Sequence, residues 1–424
     1  MSLKGPVCTD SQLPQVMQLS YNSKFKPQRN VFVARLQRHA RKLAVLAVVF
    51  VVAVVLIFQT SLGSSTGLRT NSKGYTKLHG WHKTDIPTKS SLIFPSVEHA
   101  PLLRELTADG LFNSQVDPQG KKRYLLTDAF DDEDAKLNSK LESDDNTSQM
   151  LKVKKSFLDH GKQKFTGPKS PEVVVVTGID FEKYELSHLT KIVQNRVNYA
   201  QKKKYGVYVR WVQEFLPLIS DTQSDKDWAK VFLLRSAMYA FPNAKYFWYL
   251  DQDAMIMRYD IDLIKYLLDP KVLDPIMLRD QPVVPPNGVV HTYKNSRASN
   301  VELILTQVGS DLNLNSFVLK NDFMAKTLLE FWSDKLFRTY HNFPRNTESA
   351  LTHILQWHPV YLARTAIVPP RTIAGLHTAM ELPEGDDVHY SAGDFVVSLR
   401  DCATRKSCEK EIDQYWNIVE GDGK

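Results

Sequence analysis

With 424 residues, an apolar fraction of 43% and a charged fraction of 24%, the chain can bury a sizeable core in one large domain plus extras, or in two domains. A formal charge of +7, with lysines and arginines spread along the chain and no aromatic-interleaved basic patch, argues against a nucleic-acid partner. The three cysteines, Cys8, Cys402 and Cys408, form no Cys-x-x-Cys pattern and no cluster with histidine, so nothing supports a zinc site.

Residues 1–42 read as a cytosolic tail that ends in a basic cluster, Arg35, Arg38, His39, Arg41 and Lys42. Leu43 to Phe58 then carries no polar side chain, and Gln59 to Leu62 can extend it into the interface. A span needs about 20 residues, so 43–62 is a short transmembrane anchor. The long positive region and the lack of a small-x-small cleavage site argue against a signal peptide. With the basic side cytosolic, the expectation is a type II, single-pass protein with a lumenal C-terminus, in a thin early-secretory membrane. Residues 63–170 are polar and patchy, with the acidic run Asp131 to Asp134, and read as a largely disordered stem. Asn146-Thr147-Ser148 is a glycosylation sequon within it.

The folded domain is expected over 171–424. Val173 to Val176 is a β-branched run ending at Thr177-Gly178, a buried strand turning into a loop. Leu189, Ile192, Val193, Val197 and Ala200 follow at helical spacing, and Tyr205 to Val212 is a second strand. Ser224 and Asp227 offer a capping box for a helix from about Trp228 to Ala240, stopped by Pro242. Lys245 to Leu250 is the third strand. Strand–helix–strand–helix–strand predicts an α/β fold with a mostly parallel sheet. Further on, the spacing predicts a short helix over Ile261–Leu268, a Pro-rich loop over Gln281–Gly288, and a strand over Asn315–Leu319. It also predicts helices over Asn321–Phe337 and Glu348–Trp357, and a strand over Phe395–Val397.

Asp251 and Asp253 stand one residue apart at the C-terminal end of the third strand, the edge where open α/β sheets bind ligands. Two acids pointing into one crevice repel unless a cation lies between them. A hard divalent ion that also takes phosphate oxygens answers that need, whereas the plain alternative is a solvated Asp pair.

Together, Phe247-Trp248-Tyr249-Leu250-Asp251-Gln252-Asp253, the valine run, Lys191 to Ala200, Trp228-Ala229-Lys230, Asp274 to Gly288, Ser349 to Pro359 and Gly393 to Val397 resemble glycosyltransferase family 34 over about residues 171–402. Within it, the chain is most similar to the fungal Golgi α-1,6-mannosyltransferase subunits of the mannan polymerase complex. The resemblance implies a GT-A fold, a Golgi membrane location, and retaining transfer from GDP-mannose with Mn2+ to a mannan or N-glycan acceptor. It also implies other mannosyltransferase subunits as partners in a hetero-oligomeric complex. Asp251 and Asp253 become the metal residues, with Asp253 at the catalytic centre. Glu348 gains a role at the reacting centre or in acceptor binding. Thr177 falls where a GT-A fold places the nucleotide base, Lys230 and Arg235 could steer the diphosphate, and Asn315 and Asp311 precede a crevice-facing strand. The family's metal-binding histidine is replaced here by Ser398, which makes His389 the candidate substitute and His377 a weaker one. No side chain announces itself as a covalent nucleophile. A weakly active or non-catalytic subunit and an α-galactosyltransferase are the alternatives.

Cys402 and Cys408 lie on the side expected to be lumenal, with enough intervening chain for a turn that brings them into bridging range. A disulfide is expected, the alternative being two free thiols in a mobile tail.

Overall fold

The run Val173–Ile179 is buried at every position, and a strand buried on both faces can only sit inside a sheet covered by other elements. The computed structural model describes residues 85–108, 112–116, 118, 120, 122–126, 163–219, 226–284, 288–340 and 342–421. The expected tail, anchor and sequon, together with Cys8 and Ser224, lie outside these residues. Among the described residues, no helix is long and apolar enough to cross a membrane.

Among the described residues, ten strands build the two sheets around the site. In chain order they are β1 (Leu92–Ile93), β2 (Val173–Ile179), β3 (Gly206–Trp211), β4 (Tyr246–Leu250), β5 (Ala254–Ile256), β6 (Leu303–Val308), β7 (Asp311–Lys320), β8 (Thr365–Val368), β9 (Gly375–Leu376) and β10 (Val396–Ser398). The larger sheet has seven strands in the order β8-β6-β7-β4-β2-β3-β1, and β9-β10-β5 form a small one. In the larger sheet only β7 runs antiparallel to its neighbours, so the mostly parallel expectation holds. The helices used below are α1 (Ala100–Ala108), α2 (Leu186–Lys203), α3 (Ala229–Ala240), α4 (Phe323–Trp332), α5 (Asn346–Trp357) and α6 (Cys408–Gly421).

Topology places the site. The chain leaves β2, crosses through α2 to β3 on one side, then returns through α3 past β2 to β4 on the other. Right-handed crossovers in opposite directions open a crevice between the carbonyl ends of β2 and β4. The β4 aromatics then tie the two sheets together: Trp248 is fully buried, stacks on Phe395 at 5.4 Å and donates to Ser316 Oγ at 2.9 Å.

Three expectations need correcting. The domain does not begin at 171: β1 pairs with β3, and Ile93, Val97, Ala100, Leu103 and Leu106 are buried in the core. Their apolar spacing is short, and only the partner strand shows that they belong to the fold. The long helix over Asn321–Phe337 is broken after Trp332, because Asp334 accepts a hydrogen bond from Leu336 N at 2.7 Å and caps a new turn. Ile261–Leu268 forms a π-type turn over Ile264–Leu268. Strands β6 and β8 and the C-terminal helix α6 were not anticipated.

Candidate active site

The acids at the end of β4 are held in a sharp turn by the chain itself. Asp251 Oδ1 accepts from Asp253 N at 3.0 Å, and Asp251 N donates to the Asn315 carbonyl at 2.7 Å. Behind the turn, Arg196 of α2 is fully buried. Its guanidinium donates to the carbonyls of Asp251 (2.6 Å) and Ala254 (2.7 Å). Asn195 gives Ile256 both halves of a strand pairing, donating to its carbonyl at 2.9 Å and accepting from its N–H at 3.0 Å. Two polar residues thus sit on the apolar face of α2 because backbone groups there need partners. That anomaly, Asn195-Arg196 between Val193 and Val197, was the one sequence signal for this support.

In front of the turn lies a cavity of about 490 Å³, lined among others by Gly178, Phe215, Lys230, Asp251, Asp253 and Asn315. It also exposes four more charged groups on its wall, Asp180, Glu182, Lys183 and Lys226, beside Asp227. Each of its lysines rests on an acid. Lys183 Nζ lies 2.5 Å from Asp253 Oδ2, Lys226 lies 2.8 Å from Asp180 Oδ2 and also pairs with Glu182, and Lys230 lies 2.5 Å from Asp227 Oδ1. The Tyr184 hydroxyl donates to Asp253 Oδ1 at 2.5 Å, and the Tyr249 hydroxyl to Asp251 Oδ2 at 2.9 Å. Burial, helped by the Asp251 charge, holds the Asp253 carboxyl above the usual range against the pull of Lys183 and Tyr184. Burial works against the charge of Lys230, but Asp227, Asp251 and Glu348 outweigh it and keep its pKa above the ordinary lysine value.

The loop carrying Asp180, Lys183 and Tyr184 is anchored from a segment expected to be stem. Arg104 of α1 donates to the carbonyls of Phe181 and Tyr184 and pairs with Glu185 at 3.2 Å. The floor is anchored by a disulfide, Cys402–Cys408, with Cα atoms 4.8 Å apart, as expected. Cys402 Sγ lies 3.9 Å from the Tyr184 hydroxyl, and Ala403 reaches the cavity wall.

The remaining candidates divide. Asp251, Asp253, Lys230 and Asn315 line the cavity together. Thr177 does not: it is fully buried and its hydroxyl donates to the Leu250 carbonyl at 2.7 Å, so Gly178 is the residue of that strand end that faces the space. Arg235 is also excluded. Five residues beyond Lys230 on one helix it points well away, and it pairs with Glu330 of α4 (2.7 Å) and with Ser333 just past the end of that helix. Glu348 is not on the cavity wall. It accepts from Arg400 Nη2 at 2.8 Å, and burial pushes its carboxyl up to about 7 against Arg400 and Lys230. Its neighbour Thr347 donates to Asp227, so the start of α5 backs the Asp227–Lys230 pair. Asp311 joins the same group through Arg400 Nη2 at 3.5 Å, and also pairs with Arg345 at 3.0 Å.

His389 is not a metal ligand in this arrangement. Its ring Nδ1 faces Asp386 Oδ2 at 2.9 Å, and its backbone is reached from Ala254 only through Ser398 and Leu376. That is three strand spacings, roughly 14 Å. His377 turns its Nδ1 to the Tyr415 hydroxyl at 2.8 Å. Ser398, beside β5, keeps a buried hydroxyl with no hydrogen-bond partner among the described residues. Among the described residues, the group with metal-like spacing is Asp253 with Cys402 and Cys408, whose sulfurs are spent in the disulfide.

A divalent ion nevertheless suits the donor set, with no imidazole. Asp251 and Asp253 offer hard oxygens one residue apart, and diphosphate oxygens and water can complete the shell. The charge balance points the same way: the wall carries Asp180, Glu182, Asp227, Asp251 and Asp253 against Lys183, Lys226 and Lys230, so a diphosphate needs one more cation to enter.

Residues 169–409 match the galactosyl transferase GMA12/MNN10 family. The chain is 40% identical over 369 residues to a probable alpha-1,6-mannosyltransferase, MNN11, of Saccharomyces cerevisiae, covering 83% of this chain and 85% of that protein. It is 25% identical over 260 residues to an uncharacterized alpha-1,2-galactosyltransferase of Schizosaccharomyces pombe, covering 59% of this chain and 67% of that one. Among solved structures, a glycosyltransferase involved in the glycosylation of the major capsid of PBCV-1 aligns at a TM-score of 0.39 and 12% identity, over 57% of this chain and 100% of that one.

Proposed function

The chain belongs to the galactosyl transferase GMA12/MNN10 family and is a glycosyltransferase, and from that premise we propose that it is a retaining α-1,6-mannosyltransferase of GT-A type that uses GDP-mannose. The observation that carries the chemistry is the pair Asp251 and Asp253 facing a cavity ringed by three lysines at the switch point of the sheet. The donor choice rests on the 40% identity to a probable alpha-1,6-mannosyltransferase.

Asp251 and Asp253 hold Mn2+, which when bound supplies Lewis-acid stabilisation of the departing diphosphate. Lys230 and Lys226 add fixed positive charge where negative charge grows as the bond from sugar C1 to phosphate oxygen breaks. Gly178, Val212 and Phe215 are apolar residues of the lining and offer a surface for the guanine base. Asn315 orients the donor sugar. The acceptor hydroxyl attacks C1 on the face the diphosphate leaves, and its proton passes to the departing phosphate oxygen, so no covalent intermediate on the protein is required. Glu348 acts as a positioning residue through Arg400 and the Asp227–Lys230 pair.

The acceptor is the mannan backbone of N-linked glycans, and the enzyme works in a hetero-oligomeric complex with other mannosyltransferase subunits. Residues 43–62 anchor it in the Golgi membrane with the domain lumenal, which agrees with the disulfide. Purified protein incubated with Mn2+, an oligomannoside and GDP-mannose, UDP-galactose or UDP-xylose tests the reading. Mannose transfer with retained configuration is expected. Transfer of galactose alone would reassign the donor, and no turnover of any donor would leave a non-catalytic subunit.

A further inference from the structure

We propose that Lys183 is a built-in counter-ion of the metal position: it competes with the divalent cation for Asp253 and keeps that position closed until a diphosphate arrives. This rests on the metal-dependent reading above and deepens it.

The geometry is specific. Lys183 Nζ sits 2.5 Å from Asp253 Oδ2, while Tyr184 donates to the other oxygen at 2.5 Å, so both carboxylate oxygens are engaged. The Lys183 side chain keeps 27% exposure and lines the cavity, so its ammonium can swing without leaving the pocket. Lysine is suited to this because it is a compact charge on a flexible stem, unlike the planar fork of arginine. Among the described residues no imidazole stands with the two acids to favour the ion over the ammonium: Ser398 stands beside β5, His377 faces Tyr415 and His389 faces Asp386. A weak two-acid site and a resident cation together make the free protein a poor metal binder. A diphosphate changes both sides of that balance, because its oxygens complete the ion's shell and give the displaced ammonium a new anionic partner. The position of Lys183 is maintained by Arg104, which grips the carbonyls of Phe181 and Tyr184 on either side of it.

The test measures Mn2+ binding by electron paramagnetic resonance on the full chain in detergent, first without nucleotide and then with GDP. Lys183→Gln is expected to tighten nucleotide-free Mn2+ binding by about tenfold or more, and Lys183→Arg to leave it weak. GDP should then strengthen Mn2+ binding more in the wild type than in Lys183→Gln. Unchanged or weaker Mn2+ binding by a folded Lys183→Gln protein overturns the proposal, as does equal tightening by Lys183→Arg. A second measurement needs no variant: mass-spectrometric mapping of lysine acetylation in the wild type should show Lys183 becoming more reactive as Mn2+ is titrated in. Reactivity that stays flat at saturating Mn2+ also overturns it. Neither readout depends on which sugar is transferred, so failure here is separable from failure of the donor assignment.

Discussion

The cations inside the cavity and those around it do different work. Lys183, Lys226 and Lys230 line the space, and each rests on a carboxylate that also faces it. Arg104, Arg196 and Arg400 are spent on holding the surrounding loops: carbonyls of Phe181 and Tyr184, carbonyls of Asp251 and Ala254, and the Glu348 carboxylate with the Leu312 carbonyl. The contrast follows from side-chain chemistry, since a guanidinium fork fixes several acceptors in one plane while an ammonium can trade one anion for another. The lysines are therefore the groups available to a ligand, and the arginines build the walls.

The largest effect should come from removing a whole wall. A chain starting at residue 171 loses β1 and α1, including the buried Ile93, Val97, Leu103 and Leu106 and the Arg104 anchor. Those four side chains alone are worth roughly 6–12 kcal/mol of burial, comparable with the entire stability of a domain. Protein starting at Lys73 should be soluble and protease-resistant, and protein starting at 171 should not. If the shorter protein folds, the structural part given to Arg104 is wrong.

Asp251→Asn and Asp253→Asn address the ligand side of the contrast. Each should lower transfer by about a thousandfold while circular dichroism stays native, because both acids face the cavity. Near-normal turnover at saturating Mn2+ would contradict the assignment. Arg196→Met instead should act on stability, by about 3 kcal/mol in urea unfolding, since it strands buried carbonyls that no lysine can reach. A variant as stable as the wild type would break the distinction between the two sets of cations.

Glu348 sharpens the contrast through pH. Folding raises its pKa from the ordinary 4.5 to about 7, with burial as the leading cause. The folded state therefore keeps a proton that the unfolded state releases between those values, so this group makes stability fall as pH rises through the window. Relative to Glu348→Gln, the wild type should lose up to about 3 kcal/mol between pH 4.5 and 7. Parallel pH–stability curves would show that Arg400 fully compensates the charge.

The smallest effect belongs to the disulfide. Its loop turns through the left-handed residue Lys406 (φ 54°) and follows directly on another, Asp401 (φ 61°). Closing so short a loop contributes about 2 kcal/mol, so Cys402→Ser with Cys408→Ser should lower the unfolding free energy by that amount. No change in the denaturation midpoint would show that the loop is held by its packing alone.

The chain by itself determined what local pattern can determine. The valine run, the periodic face of α2 and the aromatic β4 strand announced parallel α/β order, and the position of Asp251 and Asp253 at a strand end announced the ligand edge. The spacing of Cys402 and Cys408 made their bond foreseeable. Only the tertiary structure decided which charges meet. Lys183 and Asp253 are joined across 70 residues of sequence, and Arg104 reaches Phe181 across 77. Nothing in the spacing of residues so far apart encodes such contacts. Thr177 looked like a nucleotide contact because it ends a strand, but the pleat turned its side chain inward and left Gly178 facing the cavity. Arg235 shared a helix with Lys230 but not a face, and helical rotation sent it to α4. Short strands such as β1 escaped notice for a related reason: two or three residues carry no measurable period, and they become strands only when a partner supplies the hydrogen bonds.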